Sequence, residues 1–153
     1  MTAFKEILFP VDLSEMSPRL VPSVKNVVDA FKGNLHLLFA ARVMGQYTGF
    51  YVSAAAVASF EQGILEGAQR KLKEFREAHF PAEQRIVMAV KSGDPSEEVL
   101  AYITENRIDL VVMGTHGRRG FDRLLFGSVA ERVVKLSPVP VMTINPMGIQ
   151  AVS

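Results

Sequence analysis

The chain has 153 residues and 16.9 kDa, of which 48% are apolar and 22% charged; this is one ordinary domain that buries roughly 70% of its unfolded surface. It contains no cysteine, which excludes disulfides, thiolate metal ligands and cysteine nucleophiles and fits a cytoplasmic setting. Its 17 basic and 16 acidic residues leave a net charge of +1, without the basic excess of a nucleic-acid-binding surface, and no apolar run approaches the ~20 residues of a membrane helix.

The opening Met1-Thr2-Ala3-Phe4-Lys5-Glu6 lacks a basic, then long apolar, leader pattern, so no signal peptide is expected there. The first apolar run, Phe4–Val11, is nearly continuous, as suits a strand buried on both faces of a parallel sheet. Ser17-Pro18 then reads as a helix cap with proline at the first helical position. Val21, Val24, Val28 and Phe31 follow at helical spacing, and Gly33 ends the pattern. A second strand is predicted over Leu35–Val43. The stretch 45–59 carries no charge and is rich in Gly, Tyr, Phe and Ala. It reads as a surface excursion or as a lid or partner-contact segment.

A helix is predicted over Glu61–Phe80 from the stripe Ile64, Ala68, Leu72 and Phe75, and a strand over Arg85–Lys91. Asp94-Pro95-Ser96-Glu97 has the spacing of a capping box, with Val99, Leu100 and Ile103 as the apolar face of the helix it starts. The next strand, Ile108–Met113, is again nearly continuous. Ser128 and Glu131 make a second capping box ahead of a helix that stops before Pro138, and a last strand covers Val139–Ile144. The strict β-α alternation predicts an α/β fold with an open parallel sheet.

Ligands of such sheets sit beyond the carboxyl ends of the strands, at the topological switch point. After the fourth strand come Gly114-Thr115-His116-Gly117-Arg118-Arg119-Gly120, then 121–126, then Gly127-Ser128. Glycines allow close backbone approach, Arg118, Arg119 and Arg123 stand against the single acid Asp122, and a helix N-terminus favours an anion. Together they describe a phosphate cradle, with a plain strand-to-helix connection as the alternative. Neither the P-loop nor the dinucleotide glycine fingerprint is present. His116 reads as a structural or solvent-exposed histidine rather than a base, and no catalytic residue is assigned.

Gly114-x-x-Gly117, nine residues, then Gly127-Ser128 resembles the glycine pattern of the ATP-binding members of the universal stress protein family. The similarity extends over essentially the whole chain, through Ile7–Asp12, Ser92–Pro95, Asp109–Gly117 and Pro138–Val141. The resemblance implies a Rossmann-like open five-stranded parallel sheet of order 3-2-1-4-5 with helices on both faces. It also implies ATP, or AMP or ADP, between the first and fourth strands. Gly114 and Gly117 would offer backbone N–H groups, with Met113 and Arg118 beside them. Gly127, Ser128 and Val129 would hold the phosphates. Pro10, Val11 and Ala40 would line the adenine side, and Ala40 makes a looser wall than the valine found in many members. Asp12 would approach the ribose or a phosphate-bound Mg²⁺ or Mn²⁺; otherwise it is a turn residue before the next helix.

Proline in the last strand marks an edge. An apolar edge needs cover, either from a homodimer through Val139–Ile144, as the resemblance also implies, or from the C-terminal residues 145–153. The leading reading is a dimeric, ATP-binding stress-response module with at most slow hydrolysis. A nucleotide hydrolase using the same cleft and a nucleotide-free interaction module are the alternatives.

Overall fold

The structure is a computed structural model that describes residues 3–42, 53–81, 85–116 and 126–148. The elements run β1 (Glu6–Val11), α1 (Ser17–Phe31), β2 (Asn34–Ala41), α2 (Ala54–His79), β3 (Ile86–Ser92), α3 (Pro95–Glu105), β4 (Leu110–Gly114), α4 (Ser128–Leu136) and β5 (Val141–Ile144). The strands form one parallel sheet of order β3-β2-β1-β4-β5, as expected.

Alternation along the central strands divides the core into two layers. Ile7, Phe9 and Val11 of β1, Leu35 and Leu37 of β2, and Leu110 and Val112 of β4 pack with α1 and α2. Leu8, Leu38, Val111 and Met113 face the other way, onto α3 and α4 through Val99, Tyr102, Ile103, Ala130 and Val133. Ile7, Leu8, Phe9, Val111 and Val112 are all fully buried, which is why these runs carry no polar face. Each such side chain contributes roughly 1.5–3 kcal/mol of burial.

Several local expectations need correction. α2 begins at Ala54, seven residues before the predicted start at Glu61, so the end of the uncharged 45–59 stretch is helix rather than loop. Ser53 caps it, its Oγ accepting from Ala56 N–H at 3.1 Å. Residues 54–60 are exposed, so no apolar-polar alternation marks them as helical. Residues 45–52, and Val43 at the predicted end of β2, lie outside the described residues. The caps of α1 and α4 shift by one: Met16 and Gly127 occupy the cap positions, and Ser17 and Ser128 are the first helical residues. Neither cap makes a side-chain hydrogen bond. Asp94 does cap α3, accepting from the N–H groups of Ser96 (3.0 Å) and Glu97 (3.2 Å). β5 starts at Val141 because Pro140 precedes it with only its carbonyl engaged, accepting from Val111 N–H at 3.0 Å.

Candidate functional site

β1 and β4 are neighbours, and the chain leaves them toward opposite edges of the sheet. Their carboxyl ends therefore flank the switch point, where an open α/β sheet leaves a crevice.

On one side, β1 ends in Pro10-Val11-Asp12. The register that pairs Pro10 with Leu38 and Ile7 with Leu110 carries Pro10 beside the end of β4. Pro10, Ala40 and Met113 follow the alternation of Leu8, Leu38 and Val111, so they share the α3/α4 face. Val11 points into the α1/α2 core and is 6% exposed, so it can offer the crevice only its backbone. Asp12 organises the loop that follows: its Oδ1 accepts from Ser14 N–H (2.9 Å), Ser14 Oγ (2.7 Å) and the buried Ser17 Oγ (2.8 Å). Leu13 between them adopts a left-handed backbone, φ 58°, a conformation that costs of order 1 kcal/mol or more and persists where surrounding contacts enforce it. The turn reading of Asp12 is thus realised, yet no hydrogen bond among the described residues reaches its Oδ2.

On the other side, β4 ends at Gly114. A Cβ there would lie 2.9 Å from Leu20 Cδ1 and 3.3 Å from the His116 carbonyl, so a side chain at 114 would require the tip of Leu20 and the turn at His116 to shift. Thr115 then joins three elements. Its N–H donates to Ile144 O of β5 (2.9 Å), its carbonyl accepts from Gly127 N–H (2.6 Å), and its Oγ1 meets His116 Nδ1 at 2.8 Å. His116 is therefore held by its neighbour, in keeping with a structural role. A Cβ on Gly127 would stand 3.3 Å from the Thr115 carbonyl, a tight contact that a shift of a few tenths of an ångström would relieve.

This bond brings the start of α4 to the end of β4. The first amides of a helix have no partner within it. Glu131 N–H is the first to be satisfied, by Gly127 O at 2.9 Å, and no side chain caps the turn before it. The exposed Ser128 hydroxyl makes no hydrogen bond among the described residues, so no cap competes for it. The N-terminal end of α4 is therefore a set of uncommitted donors beside the crevice, carrying the positive end of the helix dipole.

The rim is charged. Asp94 meets Arg42 at 3.6 Å and Arg132 at 3.8 Å, and Arg132 also reaches Glu97 (3.5 Å) and Ser96 Oγ (3.2 Å). The Ser96 hydroxyl does most to hold the Asp94 carboxyl below its ordinary value, partly opposed by burial and helped by Glu97 N–H, Arg42 and Ser96 N–H. These contacts tie α4 to the start of α3; as largely exposed pairs each is worth about 0–1 kcal/mol.

The expected site residues that are described lie at or just after the carboxyl ends of β1, β2 and β4 or at the start of α4. Gly117 and Arg118, with Arg119, Asp122 and Arg123, lie outside the described residues. Among the described residues no group of three or more His, Asp or Glu side chains could hold a metal, and no helix is long and apolar enough to cross a membrane. Ser14, Ser17, Thr115 and Arg132 were not anticipated. The Asp-x-Ser spacing after β1 is a signal that could have found the first.

The fold is a Rossmann-like α/β architecture whose topological switch point falls between β1 and β4. The chain belongs to the universal stress protein family, whose sequence pattern matches residues 3–145. Universal stress protein MJ0531 of Methanocaldococcus jannaschii is 28% identical over 145 residues, covering 93% of this chain and 82% of that protein. Universal stress protein MJ0577 of the same organism is 28% identical over 162 residues, covering 93% and 95%. The solved structure of MJ0577 superposes with a TM-score of 0.78 at 24% identity, over 94% of this chain and 97% of that one. A universal stress protein family member from Arabidopsis thaliana, solved with AMP bound, has a TM-score of 0.63 at 20% identity, covering 92% and 91%.

Proposed function

We propose that this protein binds an adenine nucleotide, ATP or its mono- or diphosphate, in the crevice between β1 and β4. The observation that carries this reading is the uncapped first turn of α4, tied by Gly127 N–H to the end of β4. Its amides and the Ser128 hydroxyl suit phosphate oxygens, as does the backbone at Gly114, and the glycine pattern of the family would add Gly117 and Arg118. Pro10 and Ala40 offer an apolar side that suits adenine, the backbone of Val11 and Met113 runs beside it, and Val129 lies in the first turn of α4. The AMP carried by the Arabidopsis relative supports the ligand class.

A Mg²⁺ or Mn²⁺ arriving with the nucleotide fits Asp12. Its Oδ2 is the available carboxylate oxygen, while Oδ1 stays with Ser14 and Ser17. Magnesium is commonly held by one or two carboxylates plus substrate phosphates. Such an ion would neutralise phosphate charge, and the chain's own contribution is to orient the phosphates and exclude water from the adenine face. Phosphoryl transfer demands a positioned water in addition. The reading is accordingly a nucleotide-binding switch with at most slow hydrolysis. It acts in the cytoplasmic stress response as a homodimer through the edge at Val139–Ile144.

Denaturing the freshly purified protein and identifying the released small molecule by mass spectrometry tests the ligand. ATP, ADP or AMP is expected. Absence of any nucleotide, together with no binding of added ATP, would leave the interaction-module reading in its place.

A further inference from the structure

The two edges of the sheet are built differently. β5 has four residues and is preceded by Pro138 and Pro140. β3 has seven residues, no proline and an apolar centre, Ile86-Val87-Met88-Ala89-Val90. Among the described residues it pairs only with β2.

Backbone direction on β3 follows from its ends. Leu35 N–H donates to Arg85 O (3.2 Å), and Gly93 N–H donates to Ala41 O (2.9 Å). Positions 85 and 93 thus face β2, and by the two-residue period so do 87, 89 and 91. The N–H and C=O groups of Ile86, Met88, Val90 and Ser92 point outward, and none is hydrogen-bonded among the described residues. The side chains at the centre are exposed on both faces: Val87 is 47% and Met88 41% accessible. On the α2 side a groove of about 290 Å³ runs beside the edge, lined by Gln69, Leu72, Lys73, Met88 and Val90.

Charge says what would fit. Arg85 precedes the strand, Lys91 lies at its far end, and Lys73 lines the groove with only a 4.0 Å contact to Glu77. We infer that the outer edge of β3 is a strand-addition site for an extended segment of a partner protein, apolar at its centre and acidic at its flanks. The partner backbone would bond to Met88 and Val90, an apolar side chain would enter the groove, and the flanking carboxylates would meet Arg85, Lys73 and Lys91. This site is separate from the nucleotide crevice and does not depend on it.

The test uses the full chain and a fluorescein-labelled peptide of central valines flanked by glutamates, about seven residues long to match β3. In the free protein the amides of Met88 and Val90 should exchange rapidly with solvent while those of Val87 and Ala89 are protected; the peptide should protect the first pair. Anisotropy should show binding weakened about tenfold or more by Met88→Pro, which removes an outward donor together with a groove-lining side chain, and by Lys73→Glu. A lysine-flanked peptide should bind correspondingly worse. The inference is overturned if the peptide does not bind, or binds Met88→Pro and Lys73→Glu as well as the parent. It is equally overturned if the Met88 and Val90 amides are protected in the free protein at every concentration, or become protected with protein concentration alone. The first of these would show that the chain covers its own edge, and the second that another copy does.

Discussion

Tyr102→Phe isolates one buried polar chain. His36 on β2 is 5% exposed, with Nδ1 2.8 Å from the Tyr102 hydroxyl and Nε2 2.6 Å from Glu6 Oε2. The other Glu6 oxygen accepts from Asn34 Nδ2 at 2.7 Å. Glu6 and the Tyr102 hydroxyl thus occupy the two ring nitrogens of His36, and Tyr102 is the partner of Nδ1. Removing that hydroxyl leaves a buried ring nitrogen without its hydrogen-bond partner, at a cost of about 1–3 kcal/mol. For a chain of this length each kcal/mol lowers Tm by roughly 2–4 °C. Urea denaturation should show the midpoint falling with an unchanged slope. His36→Leu with Tyr102→Phe should cost less than the two singles summed, because the double variant leaves no widowed partner between them. Burial, and secondarily the charge of Glu6, raises the Tyr102 pKa above its ordinary 10.0. Its stabilising contribution is therefore complete below pH 10 and is lost as pH rises through the higher folded value. Wild type should lose more stability there than Tyr102→Phe. A single variant within about 0.5 kcal/mol of wild type at neutral pH would refute the reasoning.

Asp94→Asn should cost about 1 kcal/mol at neutral pH, allowing for the exposure of its pairs. Because the folded pKa of Asp94 is lowered from 3.8, its contribution is present above that value and lost as pH falls through the folded one. The stability gap between the two proteins, followed by urea titration, should therefore close in acid. Gly114→Ala should lower stability by about 1–3 kcal/mol, since its Cβ would crowd Leu20 and the His116 carbonyl; thermal unfolding reads this directly. Asp12→Ala strips the acceptor from Ser14 and the buried Ser17, at about 1–3 kcal/mol in urea. It should also weaken nucleotide binding more in the presence of Mg²⁺ than in its absence.

β1 and β4 were legible because each is buried on both faces and so reads as a nearly unbroken apolar run, as Ile7–Phe9 and Leu110–Met113 do, whereas β2 is interrupted by the buried His36. Their alternation with helices restricts the topology, and the glycine spacing from Gly114 to Gly127 narrowed it to one family. The start of α2 was not legible, because an exposed Ala-Ala-Ala-Val-Ala segment has no apolar face to betray it; only Ser53 ahead of good helix formers hinted at a cap. The displaced caps have a tertiary cause. Ser17 turns its hydroxyl to Asp12 instead of to its own helix, and Gly127 must lie against Thr115. The Glu6–His36–Tyr102 chain joins residues 30 and 66 positions apart, which no local pattern announces.

Calorimetric titration of ATP into the wild-type protein and into Gly127→Asp tests the nucleotide crevice most directly. A carboxylate at residue 127 would place negative charge beside the first-turn amides of α4, where phosphate is proposed to sit. Wild type should bind saturably, and the variant, confirmed folded by circular dichroism, should show no binding heat. Equal binding by both proteins, or none by wild type to ATP, ADP and AMP alike, would contradict the account.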